Sequence, residues 1–217
     1  MAVAAMLDTF GCTHLPRAAP SRLVAKLITL PPIDVGAGLR PSVEDSIVII
    51  ALETMLPATK QFRPEARLVR AVLFNKSARR NWAVPWHQDR TIAIKQCVEV
   101  AGFSPWSVKD KVTHVEPPFA LLADMVTMRL HLDDCSLINS PLCVALGSHR
   151  SRVPAFDVLE RARVSNQLKC LANRGDIWTY ATPILHCSDR AEMPSRRRVL
   201  QVDFCQSELP GGLEWSA

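Results

Sequence analysis

The sequence lacks the cysteine pattern of a disulfide framework or a zinc-binding module. Its 217 residues include seven cysteines, an odd number, and no two of them stand in a Cys-x-x-Cys pair. Disulfide frameworks belong to oxidising compartments and show regular spacing, whereas scattered cysteines are common in reduced proteins. We therefore expect a cytoplasmic protein whose cysteines are not bridged.

Long apolar runs are also missing. A membrane-spanning helix needs about 18 to 20 consecutive apolar residues. The longest candidate stretches, residues 47–52 and 119–122, have only the length of strands or short helices. Residues 1–17 lack a basic start and a continuous apolar core, and Asp8 interrupts them. We expect neither a secretory signal nor a membrane partner.

A concentrated basic tail is absent, although the formal net charge is +5. The basic residues are spread along the chain, and only Arg196, Arg197 and Arg198 form a dense run. Nucleic-acid-binding proteins usually gather such residues on an arm, a repeat or one face. The sequence therefore does not predict a nucleic-acid partner.

Glycine is scarce, with eight residues against sixteen prolines, and the prolines fall between short elements without marking an interdomain linker.

Helical patterning at residues 20–30 and 43–56 precedes short runs rich in branched and aromatic residues. These candidate strands are residues 68–74, 91–94, 125–132, 143–146, 176–180 and 199–204. The order predicts a mainly β fold, a sandwich or jelly roll with N-terminal helices packed on one sheet. We divide a single domain, residues 1–217, into a helical buttress (1–66), a β core (67–205) and a C-terminal tail (206–217).

The strand at residues 125–132 has a readable phase. Alternate side chains of a strand face opposite sides of a sheet. The apolar side carries Val126, Met128, Leu130 and Leu132. The other side carries Thr127, Arg129 and His131 in the middle of the strand. Such a polar set faces either solvent or a polar cavity, and the sequence leaves both open.

An imidazole and a carboxylate stand two residues apart in the segment NWAVPWHQDR, residues 81–90. In an extended chain, residues i and i+2 point the same way, so His87 and Asp89 can converge on one metal ion. A further histidine would complete a site of two nitrogens and one oxygen. The candidates are His14, His114, His131, His149 and His186. His186 stands out because it closes a run, starting at Gly175, that is typical of a strand.

Arg197 follows His186 by eleven residues, at the start of an apolar strand. Two consecutive antiparallel strands would bring these side chains into one cavity, separated by about the length of a five-carbon diacid. Two histidines and a carboxylate leave three positions open on Fe(II), which suits a bidentate 2-oxo acid and O2. Arginine is planar and always charged, which suits the far carboxylate of such an acid.

Several motifs follow one another in the order found in a known family. They are WHQD (86–89), LHLDDC (130–135), NSPL (139–142), LGSHR (146–150), GDIW (175–178), LHCS (185–188) and RRVL (197–200). In these motifs, the sequence from about residue 67 to residue 204 resembles the phytanoyl-CoA dioxygenase-like Fe(II)/2-oxoglutarate oxygenases. Two turn motifs depart from the family pattern, with Asn-Ser-Pro for Asn-Gly-Pro and Leu-Gly-Ser-His for Pro-Gly-Ser-His. Neither departure removes an expected ligand.

The resemblance implies a double-stranded β-helix of the cupin type. It implies that His87, Asp89 and His186 are the metal ligands and the catalytic centre. Halogenating relatives replace the carboxylate ligand with a small residue, so Asp89 favours hydroxylation or desaturation.

The resemblance also implies a 2-oxoglutarate site at Arg197 and Ser188. Arg196 and Arg198 compete with Arg197 for this role. We prefer Arg197 for its offset from His186 and because alternation sends its neighbours to the opposite face.

The implied function is a dioxygenase that hydroxylates an unactivated C–H bond of a small molecule and releases succinate and CO2. Arg129 is expected to face the cosubstrate or the substrate, and Asn75 to contact 2-oxoglutarate. Arg90, Arg129 and His131 suggest an anionic or zwitterionic substrate. The identity of the substrate and the oligomeric state stay open.

Two other functions are compatible with parts of the pattern. One is a non-catalytic β-helix protein that senses a ligand or a metal, although an intact triad with Arg197 argues against it. The other is a zinc-dependent hydrolase, which needs a general base near a metal-bound water and leaves Arg197 without a role.

Overall fold

A computed structural model of the protein describes residues 2–29, 40–41, 44–109, 111–193 and 195–216. Its helices are α1 (Val3–Phe10), α2 (Ser21–Thr29), α3 (Ser46–Lys60), α4 (Phe119–Asp124) and α5 (Val158–Val164). Its strands are β1 (Cys12–Leu15), β2 (Arg67–Lys76), β3 (Val84–His87), β4 (Ile92–Ile94), β5 (Trp106–Lys109), β6 (Val112–Val115), β7 (Val126–His131), β8 (Leu142–Ala145), β9 (Gln167–Cys170), β10 (Ile177–Ala181), β11 (His186–Ser188) and β12 (Arg197–Cys205).

The described strands pair into antiparallel sheets. A five-stranded sheet has the order β1-β10-β7-β12-β2, a four-stranded sheet the order β3-β11-β8-β9, and a three-stranded sheet the order β4-β6-β5. The six strands predicted from the sequence are all present, with ends that differ by at most two residues. β1 was not predicted; it lies within the segment expected to be helical and pairs with β10 at the edge of the five-stranded sheet.

Helices α2 and α3 form near their predicted positions. The prediction for residues 20–30 corresponds to α2, although Leu30 lies outside the described residues. The prediction for residues 43–56 corresponds to α3, which continues to Lys60, and Val43 also lies outside the described residues. The N-terminal segment therefore contributes helices to the fold and one strand, β1.

The helices bury their apolar sides against one face of the five-stranded sheet. The helical contribution to this core is Leu23, Val24, Leu27, Ile47, Val48, Ile50, Ala51 and Met55. The sheet contributes Met128, Leu130 and Leu132 from the β7 region and Leu200, Val202 and Phe204 from β12. Alternation along the strands brings these residues to one side, which confirms the predicted layer of helices on one sheet.

The other face of the five-stranded sheet is turned toward the four-stranded sheet. Trp178 and Tyr180 of β10 share a buried cluster with Leu142 and Val144 of β8. The polar side of β7 lies on this inner face, because Thr127, Arg129 and His131 are all buried. The polar set therefore lines the space between two sheets and does not face solvent. The mainly β prediction, with two sheets packed face to face, is confirmed.

The run predicted as one strand ending at His186 forms two strands instead. Its first part is β10 in the five-stranded sheet, and its second part is β11 in the four-stranded sheet. A turn at residues 182–185 separates them, so the chain crosses from one sheet to the other. His186 consequently begins β11 rather than ending a strand.

The C-terminal tail folds back on the three-stranded sheet. Leu213 and Trp215 are buried against Ile92 and Ile94 of β4, and Trp215 forms a backbone bridge with Ile94. Among the helices described, none is long and apolar enough to cross a membrane.

Candidate metal centre

Three side chains with metal-binding atoms converge at one end of the four-stranded sheet. His87 ends β3, and His186 begins the neighbouring strand β11, where the two histidines are register partners. Their ring centroids are 4.2 Å apart. Asp89 follows β3 by two residues and joins them, so that ligand atoms of His87, Asp89 and His186 lie within 4.8 Å of one another. The group could hold a metal ion.

Each histidine ring is oriented by a backbone carbonyl two residues earlier in the chain. The Nδ1–H group of His87 donates to the carbonyl oxygen of Pro85 at 2.8 Å. The Nδ1–H group of His186 donates in the same way to Ile184 at 2.9 Å. Because a carbonyl can only accept, each Nδ1 carries a proton, and Nε2 is the ring nitrogen left for a metal. Burial, and then the neighbouring His87, lower the pKa of His186 to about 4, so its ring is neutral at neutral pH.

Asp89 is kept ionised by an arginine from the opposite sheet. Burial alone would raise the pKa of the Asp89 carboxyl, but the charge of Arg70, the strongest opposing influence, holds it below its usual value. The Nη2 atom of Arg70 donates to Oδ2 of Asp89 at 3.2 Å. Oδ1 of the same carboxylate lies 4.0 Å from Nε2 of His87. Two imidazoles and one carboxylate thus present three ligand atoms from one side, as in non-haem Fe(II) sites.

A cluster of cationic and hydroxyl groups lies deeper between the sheets, two residues along β11 from His186. Lys76 donates to the Oγ atoms of Ser188 at 3.0 Å and Ser140 at 3.2 Å. Arg197 donates to the backbone carbonyl of Ser140 and to the sulfur of Cys135. Only 3% of Lys76 and 3% of Arg197 are exposed to solvent. We call Lys76, Ser140, Ser188 and Arg197 the cation cluster.

Arg129 adds a third buried cation beside this cluster. Its Nη1 atom donates to Gln201 at 2.7 Å, and its guanidinium lies 5.0 Å from the centre of the Phe74 ring. The Nε atoms of Arg129 and Arg197 have no hydrogen-bond partner among the described residues.

Within the described residues, the three buried cations also lack a counter-ion. No described carboxylate lies within ion-pair distance of Lys76, Arg129 or Arg197. Burial therefore lowers the pKa of Lys76 to about 8, with further lowering by Arg197 and Arg129. Buried cations without a counter-ion are costly unless an anion joins them, so this half of the cavity could hold an anion.

The distance between the two sites follows from the strand that joins them. His186 and Ser188 are two residues apart on β11, and a strand rises about 3.3 Å per residue. Their side chains are therefore spaced by roughly 6 to 7 Å on the same face. That spacing suits a short dianion with one end at the triad and the other at the cation cluster.

The structure brings only some of the residues predicted to bind the cosubstrate into the cavity. Ser188 and Arg197 meet in the cation cluster, and Arg129 lies next to it. Arg198 turns to the opposite face, where it pairs with Asp133 at 2.7 Å, and Arg196 is exposed outside β12.

Asn75 is not brought to the cavity, which corrects the expectation that it contacts 2-oxoglutarate. It is the register partner of Arg198 and shares that outward face. The inward side chain at this end of β2 is the next residue, Lys76, the register partner of Arg197.

His186 and Arg197 share the cavity for a different reason from the one predicted. β11 and β12 are not neighbouring strands; β11 pairs with β3 and β8, and β12 pairs with β2 and β7. The two residues approach because the sheets face each other, and Ser140 contacts both Ser188 of β11 and Arg197 of β12.

Sequence reasoning missed Lys76, Arg70 and Asp203. All three lie on the inner face of the five-stranded sheet, where Arg70 is the register partner of Asp203. Alternation from Phe74 would have found Lys76. Both faces of β2 carry apolar residues, however, so the inward face could not be chosen from the sequence.

No protein-family model matches the sequence, and no curated protein is significantly similar to it in sequence. Solved structures are similar in fold. AviO1 from Streptomyces viridochromogenes Tue57 has a TM-score of 0.68 at 16% identity, covering 96% of this chain and 96% of that one. HygX from Streptomyces hygroscopicus, solved with nickel and 2-oxoglutarate bound, has a TM-score of 0.64 at 16% identity, covering 94% and 85%. The epimerase SnoN, solved with Fe3+, alpha ketoglutarate and nogalamycin RO, has a TM-score of 0.67 at 14% identity, covering 97% and 90%.

Proposed function

We propose that this protein is an Fe(II)- and 2-oxoglutarate-dependent dioxygenase that hydroxylates an unactivated C–H bond of a small molecule. One observation carries the proposal: a two-histidine, one-carboxylate triad and an uncompensated cation cluster share one cavity, and β11 supplies a residue to each. Proteins of similar fold have been solved with iron, nickel and 2-oxoglutarate bound, which supports the same assignment.

His87, Asp89 and His186 would hold the iron through two Nε2 atoms and one carboxylate oxygen. When bound, Fe(II) with 2-oxoglutarate and O2 supplies the oxidation of a C–H bond while the cosubstrate is converted to succinate and CO2. The residues fit this metal because each ring is oriented by its Nδ1–H group, which leaves Nε2 as the nitrogen for the metal, and because Arg70 favours the ionised form of the carboxylate. The Nδ1 hydrogen bonds fix both rings before the metal arrives.

Arg197, Lys76 and Ser188 would bind the far carboxylate of 2-oxoglutarate. The two cations offset its charge, and the serine hydroxyl donates a further hydrogen bond. Arg129 and its partner Gln201 lie between the cluster and the triad. Their donors are suited to the middle of the bound acid, and the surrounding sheets exclude water from it.

The substrate in this proposal is a small molecule. SnoN and EctD, which share the fold, were solved with nogalamycin RO and 5-hydroxyectoine respectively. Arg129 and His131, which suggested an anionic or zwitterionic substrate, are buried on the inner face of β7. They therefore support the binding of the cosubstrate more directly than that of the substrate.

The seven cysteines are consistent with a reducing compartment. The described structure contains no disulfide bond, and all seven thiols are free. The seven cysteines also show no Cys-x-x-Cys pair and no regular spacing. We propose on this basis that the protein works in the cytoplasm.

The zinc-hydrolase alternative has little support from the cavity. The described carboxylate nearest to Asp89 in the hydrogen-bond network is Asp203, which is fully buried and paired with Arg70. It is therefore not available as a general base for a metal-bound water. A hydrolase would also leave the three buried cations without a role.

Succinate formation without added substrate tests the proposal and separates an enzyme from a sensor. Protein, Fe(II) and 2-oxoglutarate in air should give slow, uncoupled succinate production, which Zn(II) in place of Fe(II) should not support. His186→Ala and Asp89→Ala should abolish it. His149→Gln is the matched control, since His149 is a half-buried histidine of a short 3-10 turn and belongs neither to the triad nor to the cation cluster. Production no higher than that of Fe(II) alone would contradict an enzymatic function.

A further inference from the structure

Arg70 and Asp203 lie opposite each other on the inner face of the five-stranded sheet, one on β2 and the other on β12. We propose that Arg70 is a positioning residue that aims the Asp89 carboxylate at the metal, with Asp203 as its anchor. This inference rests on the proposed function, because it takes Asp89 as an iron ligand.

The anchor is held from several sides. Asp203 is fully buried, and its side chain accepts hydrogen bonds from Arg70, from Thr127 at 2.8 Å and from Gln201 at 3.3 Å. Thr127 in turn lies 3.0 Å from the hydroxyl of Thr182. A carboxylate with this many partners cannot change its rotamer without leaving a buried polar group unsatisfied. The Nε side of the Arg70 guanidinium is therefore fixed.

The same guanidinium reaches Asp89 with its other edge. Asp89 lies in a loop, and Arg70 is its only cationic hydrogen-bond partner in the part of the chain that is described. The contact is made to Oδ2, while Oδ1 is the oxygen closer to Nε2 of His87. Arg70 thus occupies one oxygen of Asp89 and leaves the other for the metal.

This arrangement favours a carboxylate that binds through one oxygen. If both oxygens bound the metal, one of the three positions needed by 2-oxoglutarate and O2 would be lost. An arginine suits the task because its planar fork can hold two carboxylates at once, one on each edge. A lysine at this position would offer a single point of attachment.

Replacing Arg70 and Asp203 together tests the role of Arg70 without changing the net charge of the site. The double variant Arg70→Met with Asp203→Asn removes one positive and one negative charge, so the net charge near the metal is unchanged. It also avoids leaving Asp203 buried without its partner. The matched control is the double variant Arg198→Met with Asp133→Asn. Arg198 also belongs to β12, but its ion pair with Asp133 lies on the outward face of the sheet, away from Asp89.

Anaerobic titration of each full-length protein with Fe(II) measures the effect. Partners that orient a metal ligand typically contribute 10- to 100-fold to metal affinity. We expect the Arg70/Asp203 variant to bind Fe(II) at least 10-fold more weakly than the wild type and to show a shifted charge-transfer band with 2-oxoglutarate. The Arg198/Asp133 variant should bind Fe(II) with an affinity within about threefold of that of the wild type. This should hold even if its melting temperature falls as far as that of the Arg70/Asp203 variant.

An Arg70/Asp203 variant that binds Fe(II) within threefold of the wild type would overturn the inference. So would a control variant that loses affinity to the same extent, because the effect would then be one of general stability. A wild type that binds Fe(II) but shows no band with 2-oxoglutarate would contradict the proposed oxygenase function. In that case the Fe(II) affinities alone would still decide the role of Arg70.

Discussion

Ser188 stands two residues after His186 on β11, so the two side chains share one face of the strand and reach two different parts of the same cavity. His186 lies with His87 and Asp89 in the triad. Ser188 contacts Lys76 and Ser140 in the cation cluster. The spacing along one strand therefore separates the triad from the cation cluster.

Arg197 is expected to serve the cosubstrate and not the metal. Hydrogen bonds to charged groups contribute about 1.5 to 3 kcal/mol, so Arg197→Met should raise the KM for 2-oxoglutarate by about 10- to 100-fold. Lys76 remains in place and limits the loss. Fe(II) affinity should change by less than about threefold. Arg196→Met is the control, because Arg196 is exposed and lies outside β12; an equal effect in both variants would argue against a specific role for Arg197.

Lys76 is expected to make 2-oxoglutarate binding pH-dependent. Burial, followed by Arg197 and Arg129, lowers its pKa to about 8, while Asp189 and Cys135 act in the opposite direction. The charged form binds a dianion and prevails below this pKa. Hence kcat/KM for 2-oxoglutarate should fall as the pH rises through about 8, since this ratio reports the free enzyme.

The corresponding measurement is a pH profile of kcat/KM from succinate formation. Lys76→Met should lower the ratio at pH 7 and flatten the profile between pH 7 and 9. If the variant keeps the wild-type slope, another group titrates and the assignment to Lys76 is wrong.

Metal binding should stabilise the folded protein through the triad. A ligand at a concentration of a hundred times its Kd raises the free energy of unfolding by about 2.7 kcal/mol. For a chain of this size, that corresponds to a rise in melting temperature of roughly 5 to 10 °C. Ni(II), which is redox-stable, should produce the shift in the wild type and in His149→Gln but not in His186→Ala. An undiminished shift in His186→Ala would place the metal elsewhere.

The layer between helices and sheet should dominate stability. Leu130 of β7 is fully buried in the core that this strand forms with α2 and α3, so Leu130→Ala should lower the free energy of unfolding by about 2 to 5 kcal/mol. Leu159 on α5 is 68% exposed, so Leu159→Ala should change the free energy by no more than about 0.5 kcal/mol. Urea denaturation of both variants checks the contrast, and similar losses would contradict the predicted packing.

The fold was predictable where a short stretch of sequence shows a clear alternation of apolar and polar residues. Residues 125–132 alternate clearly, so both the strand and its core face were identified from the sequence. Whether the polar face met solvent or a cavity depended on the four-stranded sheet, whose strands come from distant parts of the chain. β1 has only four residues, and its extended form depends on pairing with β10.

The site likewise contains residues that local sequence indicated and residues that only the folded sheet brings together. His87 and Asp89 were found because their spacing is local, and His186 and Arg197 because the motifs around them match a family pattern. Arg70 and Asp203 are 133 residues apart, and a β-bulge next to Asp203 shifts the register. Their pairing could only be read from the folded sheet, and the same holds for the contact from Lys76 to Ser188.

Fe(II) and 2-oxoglutarate are expected to bind together at the triad and the cation cluster. The visible absorption of the anaerobic protein with both added tests this binding. We expect a weak charge-transfer band in the wild type and in His149→Gln, and no band in His186→Ala or Asp89→Ala. A wild type without the band, or a band that persists when the triad is broken, would contradict it.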